Sequence, residues 1–220
     1  MVDKVVELDA AVADILDGAT IAVGGFGDAG SPSDLLQALA ARAVRDLVLI
    51  CNNAGGARGG VAELFAAGCV RRLICSYPRQ RAPTVFDELW AAGKVDLQVV
   101  PQGTLVERLR CGAAGLGGFY TRTGVGTDLT AGQEVRSFEG RDYVLERPLL
   151  PDVALVRGHA ADRWGNVIYR KSARNLNPVM AAAARTTVVQ VTSVVALGDL
   201  DPEAVVTPGV YVDRVVLVPA

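Results

Sequence analysis

Residues 20–44 read TIAVGGFGDAGSPSDLLQALAARAV, and this stretch decides the fold class. It opens with a short β-branched and aliphatic run that ends in glycines, the pattern of a buried strand. From Ser31 the pattern turns helical. Ser31 is the expected N-cap, Pro32 suits the first helical position, and Asp34 falls in the first turn near the positive end of the helix dipole. Strand, glycine turn and helix in immediate succession make one half of a βαβ unit.

The same unit recurs. DLVLICNN (46–53) reads as a second strand, followed by glycine-rich AGGARGG (54–60) and helix-like VAELFAAG (61–68). Strand VRRLICSY (70–77), helix TVFDELWAAG (84–93) and a strand within VDLQVVPQG (95–103) come next. This alternation predicts an α/β fold with an open, mostly parallel sheet and helices on both faces. EVRSFEGRDYVLERPL (134–149) alternates over short distances around Glu139-Gly140, which predicts a small antiparallel excursion in the middle of the chain. VALVRGH, ADRWGN, NPVMAAAART and TVVQV then return as strand, turn, helix and strand. No linker, charge block or long-period repeat divides the 220 residues, so one domain over 1–220 is expected.

Composition narrows the function classes. Half the residues are hydrophobic and only 5% aromatic, so Ala, Val and Leu must build the core. A formal net charge of -2 leaves no footprint for nucleic acid or for an anionic membrane surface. The first eighteen residues, MVDKVVELDAAVADILDG, carry scattered acidic residues and no apolar block with a cleavage site, and no apolar run is long enough to span a bilayer. A cytoplasmic protein is expected. Cys51, Cys69, Cys75 and Cys111 include no C-x-x-C pair and His159 is the only histidine, so buried reduced thiols and no metal site are expected.

GGFGDAG (24–30) meets the pattern G-x-G-x-x-G from Gly25 onward. A dinucleotide site also needs an Asp or Glu at the end of the next strand, to hold the ribose hydroxyls. That strand ends in Asn52 and Asn53, and its only carboxylate, Asp46, stands at the opposite end. No Lys-Ser or Lys-Thr follows the glycines, which excludes a P-loop. Two readings stay open on the residues alone. The glycines either make a tight turn that needs positive φ, or offer backbone N–H groups to an anion or a developing oxyanion. Phe26 either covers an apolar part of a ligand or packs in the core. The loops GGFGDAG, CNNAGG, SYPRQR and PQGT all follow strands, so they should gather along the carboxyl edge of the sheet, where ligands bind in open α/β folds.

DGATIAVGGFGDAGSP resembles the signature of the family I CoA-transferases. The likeness continues in order through CNNAG, VPQGTLVERLR, GFYTRTGVGT, DRWGN, ARNLNPVMA and TPGVYVDRVV. It is to the first (A) subunit of two-subunit 3-oxoacid CoA-transferases and implies a fold related to sugar-phosphate isomerases. It also implies a homologous B subunit in an A2B2 heterotetramer, and a ping-pong reaction through a glutamyl-CoA thioester. In the family that glutamate lies in a Ser-Glu-Asn-Gly motif of the B subunit. Glu63, Glu88, Glu107 and Glu134 stand here in other contexts, so no nucleophile is expected in this chain.

The resemblance further implies that Gly24, Gly25, Phe26, Gly27, Asp28, Ala29 and Gly30 form a CoA-binding loop. Asn52 and Asn53 match amides near the acyl group, and Gln102 matches a glutamine that orients the acyl oxygen. A capping Asn and a turn Gln are the structural alternatives. CoA thioester is then a substrate, and no permanently bound cofactor is implied. SYPRQRAPTVFDEL resembles the branch acting on 3-oxoadipate rather than acetoacetate. There Arg79 or Arg81 would hold the second carboxylate of 3-oxoadipate or succinate by paired, charge-assisted hydrogen bonds. A short-chain acid transferase and a catalytically silent relative are the other readings. His159 and DRWGN are expected to shape a turn.

Overall fold

Short apolar strands that alternate with helices bury most surface when the strands pair side by side and helices cover both faces. The computed structural model describes residues 3–56, 59–78 and 83–218 and has this architecture. The first half runs α1 (Leu8–Val12), β1 (Thr20–Val23), α2 (Ser33–Ala41), β2 (Leu47–Asn53), α3 (Val61–Ala66), β3 (Val70–Tyr77), α4 (Val85–Ala91), β4 (Asp96–Val99) and α5 (Gln102–Ala113). An antiparallel insertion follows, formed by β5 (Phe119–Thr121), β6 (Val135–Phe138) and β7 (Arg141–Glu146). The chain then continues through β8 (Val153–Arg157), β9 (Ala160–Asp162), β10 (Val167–Ile168), α6 (Asn177–Ala183), β11 (Thr186–Val191), β12 (Ser193–Val195) and β13 (Arg214–Leu217).

Seven strands form a parallel sheet in the order β13–β11–β8–β1–β2–β3–β4. The chain builds outward from β1 to β4, then returns to place β8, β11 and β13 on the other side of β1. The gap between β1 and β8 is therefore the point where strand order reverses, and the glycine loop leaves β1 there. In open α/β sheets, ligands occupy the crevice outside the carboxyl ends of strands at such a point.

Side chains alternate between the faces of the sheet. Ile21, Val23, Leu47, Leu49 and Cys51 join one core with Leu35, Leu36 and Leu39 of α2, Leu64 and Phe65 of α3 and Phe86 of α4. Ala22 and Ile50 face the other core, with Leu105 and Leu109 of α5 and Met180 of α6. Phe65 and Phe86 meet edge to face with ring centroids 5.3 Å apart. Each such fully buried side chain contributes about 1.5–3 kcal/mol relative to exposure.

The antiparallel excursion is present, and Glu139 and Gly140 both have positive φ (51° and 73°) at the β6–β7 turn. Both central residues of a type I′ hairpin turn require that conformation. Three local expectations change. Helix α2 begins at Ser33, with Pro32 in the cap position, and Ser31 makes no capping bond. The end of α2 is instead closed from β11: Gln190 Oε1 accepts from the N–H groups of Asp34 (3.2 Å) and Leu35 (3.3 Å), while its Nε2 donates to Asp34 Oδ2 (2.6 Å). PQGT is not a loop throughout, because α5 starts at Gln102. Gly103 in the first turn weakens the local helix signal, and burial of Leu105 and Leu109 overrides it. A second small sheet, β10–β9–β12, also lies beyond β8. Its ADRWGN turn is closed by buried Asp162, which accepts from the N–H groups of Trp164 (2.9 Å) and Asn166 (3.0 Å).

Candidate active site

At the carboxyl edge, β2, β3 and α5 bring three polar side chains together. Ser76 Oγ lies 2.7 Å from Gln102 Oε1 and 3.2 Å from Asn52 Oδ1. A hydroxyl has one proton, and the shorter contact directs it to Gln102. That fixes the Gln102 amide, and its NH₂ donates to no protein group among the described residues. Asn52 is buried at the end of β2, on the face that carries α5. Asn53 has different work: its Oδ1 accepts from Gly55 N–H (2.8 Å) and so turns the loop after β2. Asn52 and Gln102 thus meet, Asn53 shapes the backbone beside them, and Ser76 is a member that sequence reasoning missed. Arg79 and Arg81 lie outside the described residues.

The glycine loop folds back on itself, with Phe26 N–H donating to Ala29 O (3.0 Å). Phe26 is 57% exposed at its tip, which rules out the core alternative for this side chain. The N–H groups of Gly27, Asp28 and Gly30 donate to no protein acceptor among the described residues. Because Gln190 occupies the N–H groups of Asp34 and Leu35, the first turn of α2 has few donors left for an anion, and the open N–H groups of the loop lie beside it. Gly24, Gly25, Gly27 and Asp28 share a narrow recess of about 20 Å³ with Asn52 and Asn53, room for one water-sized group.

The segment 173–177 holds this loop from behind. Asn175 Oδ1 accepts from Gly25 N–H (3.1 Å) and its Nδ2 donates to Ala29 O (2.9 Å). Asn177, fully buried, donates through Nδ2 to Gly30 O (3.1 Å) and accepts at Oδ1 from Arg157 N–H (2.9 Å). Asn175 stands at φ 24°, ψ -121°, strained for a side-chain-bearing residue. Its bonds to the loop sustain that strain. The contact is close enough that a Cβ on Gly24 would lie 1.8 Å from Asn177 Oδ1. Sequence reading took NPVMAAAART only as a helix. Its available signal was two asparagines flanking one residue before a proline, in ARNLNP.

No glutamate lines this recess among the described residues. Glu107 is held below the usual carboxylate range by its hydrogen bond from Arg110, and Glu134 by those from Tyr120 and Arg136, both on the surface. Glu63 accepts from Gly59 N–H (3.1 Å) in the turn before α3. Among the described residues no three His, Cys, Asp or Glu side chains gather as for a metal, and no helix is long and apolar enough to cross a membrane.

All four cysteines are free and buried. Burial pushes the Cys75 thiol up to about 12 and also raises Cys51 and Cys69. Thiolate is the reactive form, and Cys111 is shielded by burial at 2% exposure, so iodoacetamide at pH 8 is expected to leave the native chain unmodified. Intact mass should then show four additions only after denaturation. Fast labelling of Cys51 or Cys75 in the native protein would contradict this.

The fold is that of an α/β protein with a recess at the strand-order switch that no glutamate lines among the described residues. The chain belongs to the coenzyme A transferase family, whose model matches residues 5–217, and it is accordingly a CoA-transferase. It is 53% identical over 219 residues to the A subunit of the 3-oxoadipate CoA-transferase of Pseudomonas putida, covering 99% of this chain and 95% of that one. With the alpha subunit of the acetate CoA-transferase of Escherichia coli K12 it shares 43% over 217 residues, covering 99% and 98%. An acyl-CoA transferase from E. coli O157:H7, solved as a thioester complex with CoA, superposes with a TM-score of 0.85 at 25% identity. The match takes in 97% of this chain and 49% of that longer one.

Proposed function

We propose that this chain is the A subunit of a transferase that moves CoA from succinyl-CoA to 3-oxoadipate, with the nucleophilic glutamate supplied by a homologous B subunit in an A2B2 assembly. The observation that carries it is the Asn52–Ser76–Gln102 cluster beside a glycine loop that, among the described residues, has open N–H groups and no glutamate. This is equipment for holding an acyl oxygen, without the group that attacks.

The partner's glutamate carboxylate adds to the thioester carbonyl, the C–S bond breaks, and CoA leaves as thiolate from an acyl anhydride. The thiolate then attacks the glutamyl carbonyl, releasing succinate and leaving a glutamyl-CoA thioester. The acceptor acid takes the CoA by the reverse sequence. Each intermediate is an activated acyl species, so the bond energy is kept. Negative charge develops on an acyl oxygen at each addition, where the Gln102 NH₂ and the loop N–H groups are suited to receive it. No bound cofactor takes part, and the setting is the cytoplasm. The identity to the P. putida protein and the arginines of the third loop support 3-oxoadipate as acceptor, with Arg79 or Arg81 pairing with its distal carboxylate.

Co-expression with a B subunit that contains Ser-Glu-Asn-Gly tests the reading. The pair is expected to form 3-oxoadipyl-CoA from succinyl-CoA, and the chain alone to form none. Arg79→Ala should lower the preference for 3-oxoadipate over acetoacetate by about tenfold. Activity of the chain alone, or an intrinsic preference for acetate or acetoacetate in the pair, would overturn the division of labour or the substrate respectively. A pair that binds CoA without transferring it would mark a silent relative.

A further inference from the structure

Gln102 has a single tether. It is the first residue of α5 and is exposed, and a Cβ on its neighbour Gly103 would meet nothing within 4 Å. Among the described residues the only hydrogen bond of its side chain is the one from Ser76 Oγ, at 2.7 Å. A glutamine amide that is free to turn presents its oxygen or its NH₂ with equal ease, because the two ends have nearly the same shape. Where negative charge develops, only the NH₂ end helps, and the oxygen end repels.

Strand pairing places Ser76 to make that choice. Cys51 pairs with Cys75 and Asn53 with Tyr77, so Ser76 lies beside Asn52, on the face of the sheet that carries α5. Val100 N–H donates to Cys75 O (2.9 Å), which brings the start of α5 up to the end of β3. Three oxygens surround the Ser76 hydroxyl: Gln102 Oε1 and, at 3.1 and 3.2 Å, the backbone and side-chain oxygens of Asn52. One proton cannot serve all three, and the shortest contact takes it. We propose that Ser76 is a positioning residue of the transfer reaction: its proton on Gln102 Oε1 keeps the Gln102 NH₂ turned toward the acyl oxygen and excludes the reversed amide. This rests on the CoA-transfer reading above. Ser76 acts through Gln102, on an interaction that matters only as charge develops. Its loss therefore falls on kcat and leaves KM for succinyl-CoA in place.

The test is a double-mutant cycle on the assembled two-subunit enzyme. Ser76→Ala is expected to lower kcat about tenfold, less than the roughly 10²–10³-fold loss typical of removing an oxyanion donor outright, with KM within about twofold. In a Gln102→Ala background the same change should cost no more than about twofold. Ser76→Thr, which keeps the hydroxyl, should recover most of kcat. If the alanine variant does not assemble, Ser76→Cys repeats the measurement with a side chain of similar shape and a weak donor. Additive losses in the cycle, a loss carried by KM, or a threonine variant no better than alanine would overturn the proposal.

A second readout needs no turnover. In the ¹⁵N-labelled chain the side-chain NH₂ signals of Gln102 are identified by their absence from Gln102→Ala. They should stand apart from those of free glutamine side chains and move to that position in Ser76→Ala. Signals that stay in place would overturn the positioning role by themselves. If the unaltered pair transfers no CoA, the function reading fails, and with it the reaction that Ser76 would serve, while the amide signals still decide whether Ser76 orients Gln102.

Discussion

Asn177→Leu is expected to lower the melting temperature by roughly 4–20 °C, at about 2–4 °C per kcal/mol for a chain of this size. Leucine has the same number and branching of side-chain heavy atoms as asparagine and is somewhat larger, so the substitution leaves no cavity and its cost is chiefly polar. It leaves Arg157 N–H and Gly30 O without the partners they have at 2.9 and 3.1 Å. Ala173 O loses the Asn177 bond but keeps one from Asn175 Nδ2, at 3.1 Å. Two orphaned buried groups cost roughly 2–5 kcal/mol together. Asn177→Asp separates the two ends of the amide: its carboxylate still accepts from Arg157 but cannot donate to Gly30 O. A thermal melt of the three proteins should rank the native chain above both variants, with aspartate lowest, because its buried charge faces the carbonyl oxygens of Gly30 and Ala173 where the amide NH₂ stood. A leucine variant melting within about 2 °C of the native chain would show that the clamp carries little stability.

The second large effect is expected at Gly30, and it falls on activity. Gly30 has φ 71°, and a Cβ there would lie 2.2 Å from the Ala173 carbonyl oxygen, a backbone atom that cannot swing aside. Gly27, three residues earlier in the same loop, has φ 61° and open space around the same position. Alanine at either site meets the left-handed backbone penalty of about 1–2 kcal/mol. Only alanine at Gly30 must also push the loop off the Asn175–Asn177 support. A displacement near 1 Å at a reacting centre costs on the order of a hundredfold in rate. Gly30→Ala is therefore expected to reduce kcat/KM of the assembled enzyme about a hundredfold, and Gly27→Ala no more than about tenfold. Equal losses at the two positions would mean that flexibility alone, and not the support behind the loop, governs the site.

Much of the fold was legible because its signals are local. The aliphatic run of β1, the helical pattern from Thr84 and the Glu139-Gly140 turn each depend on residues close in sequence. The errors came where a distant residue outweighed a neighbour. Ser31 has the chemistry of an N-cap, yet Gln190 reaches across from β11 to take the helix end. Gly103 reads as a helix breaker, yet Leu105 and Leu109 carry α5 into the second core.

The site divides in the same way. Asn52 and Gln102 were reached through the family resemblance, and residue pattern gave only the edge they lie on, because strands that alternate with helices place their carboxyl-end loops together. Ser76 joins them only through the pairing of β3 beside β2, which sequence does not state. Local patterns along the chain set the α/β architecture, the glycine loop at the end of β1, and the lack of a carboxylate suited to a dinucleotide. Periodicity and residue chemistry act within a few positions. Tertiary structure alone decided what stands behind the loop: Asn175 and Asn177 nearly 150 positions away. These residues meet because β8 returns to pair with β1 at the switch in strand order, and that long-range pairing is set by the burial of both sheet faces rather than by any local pattern.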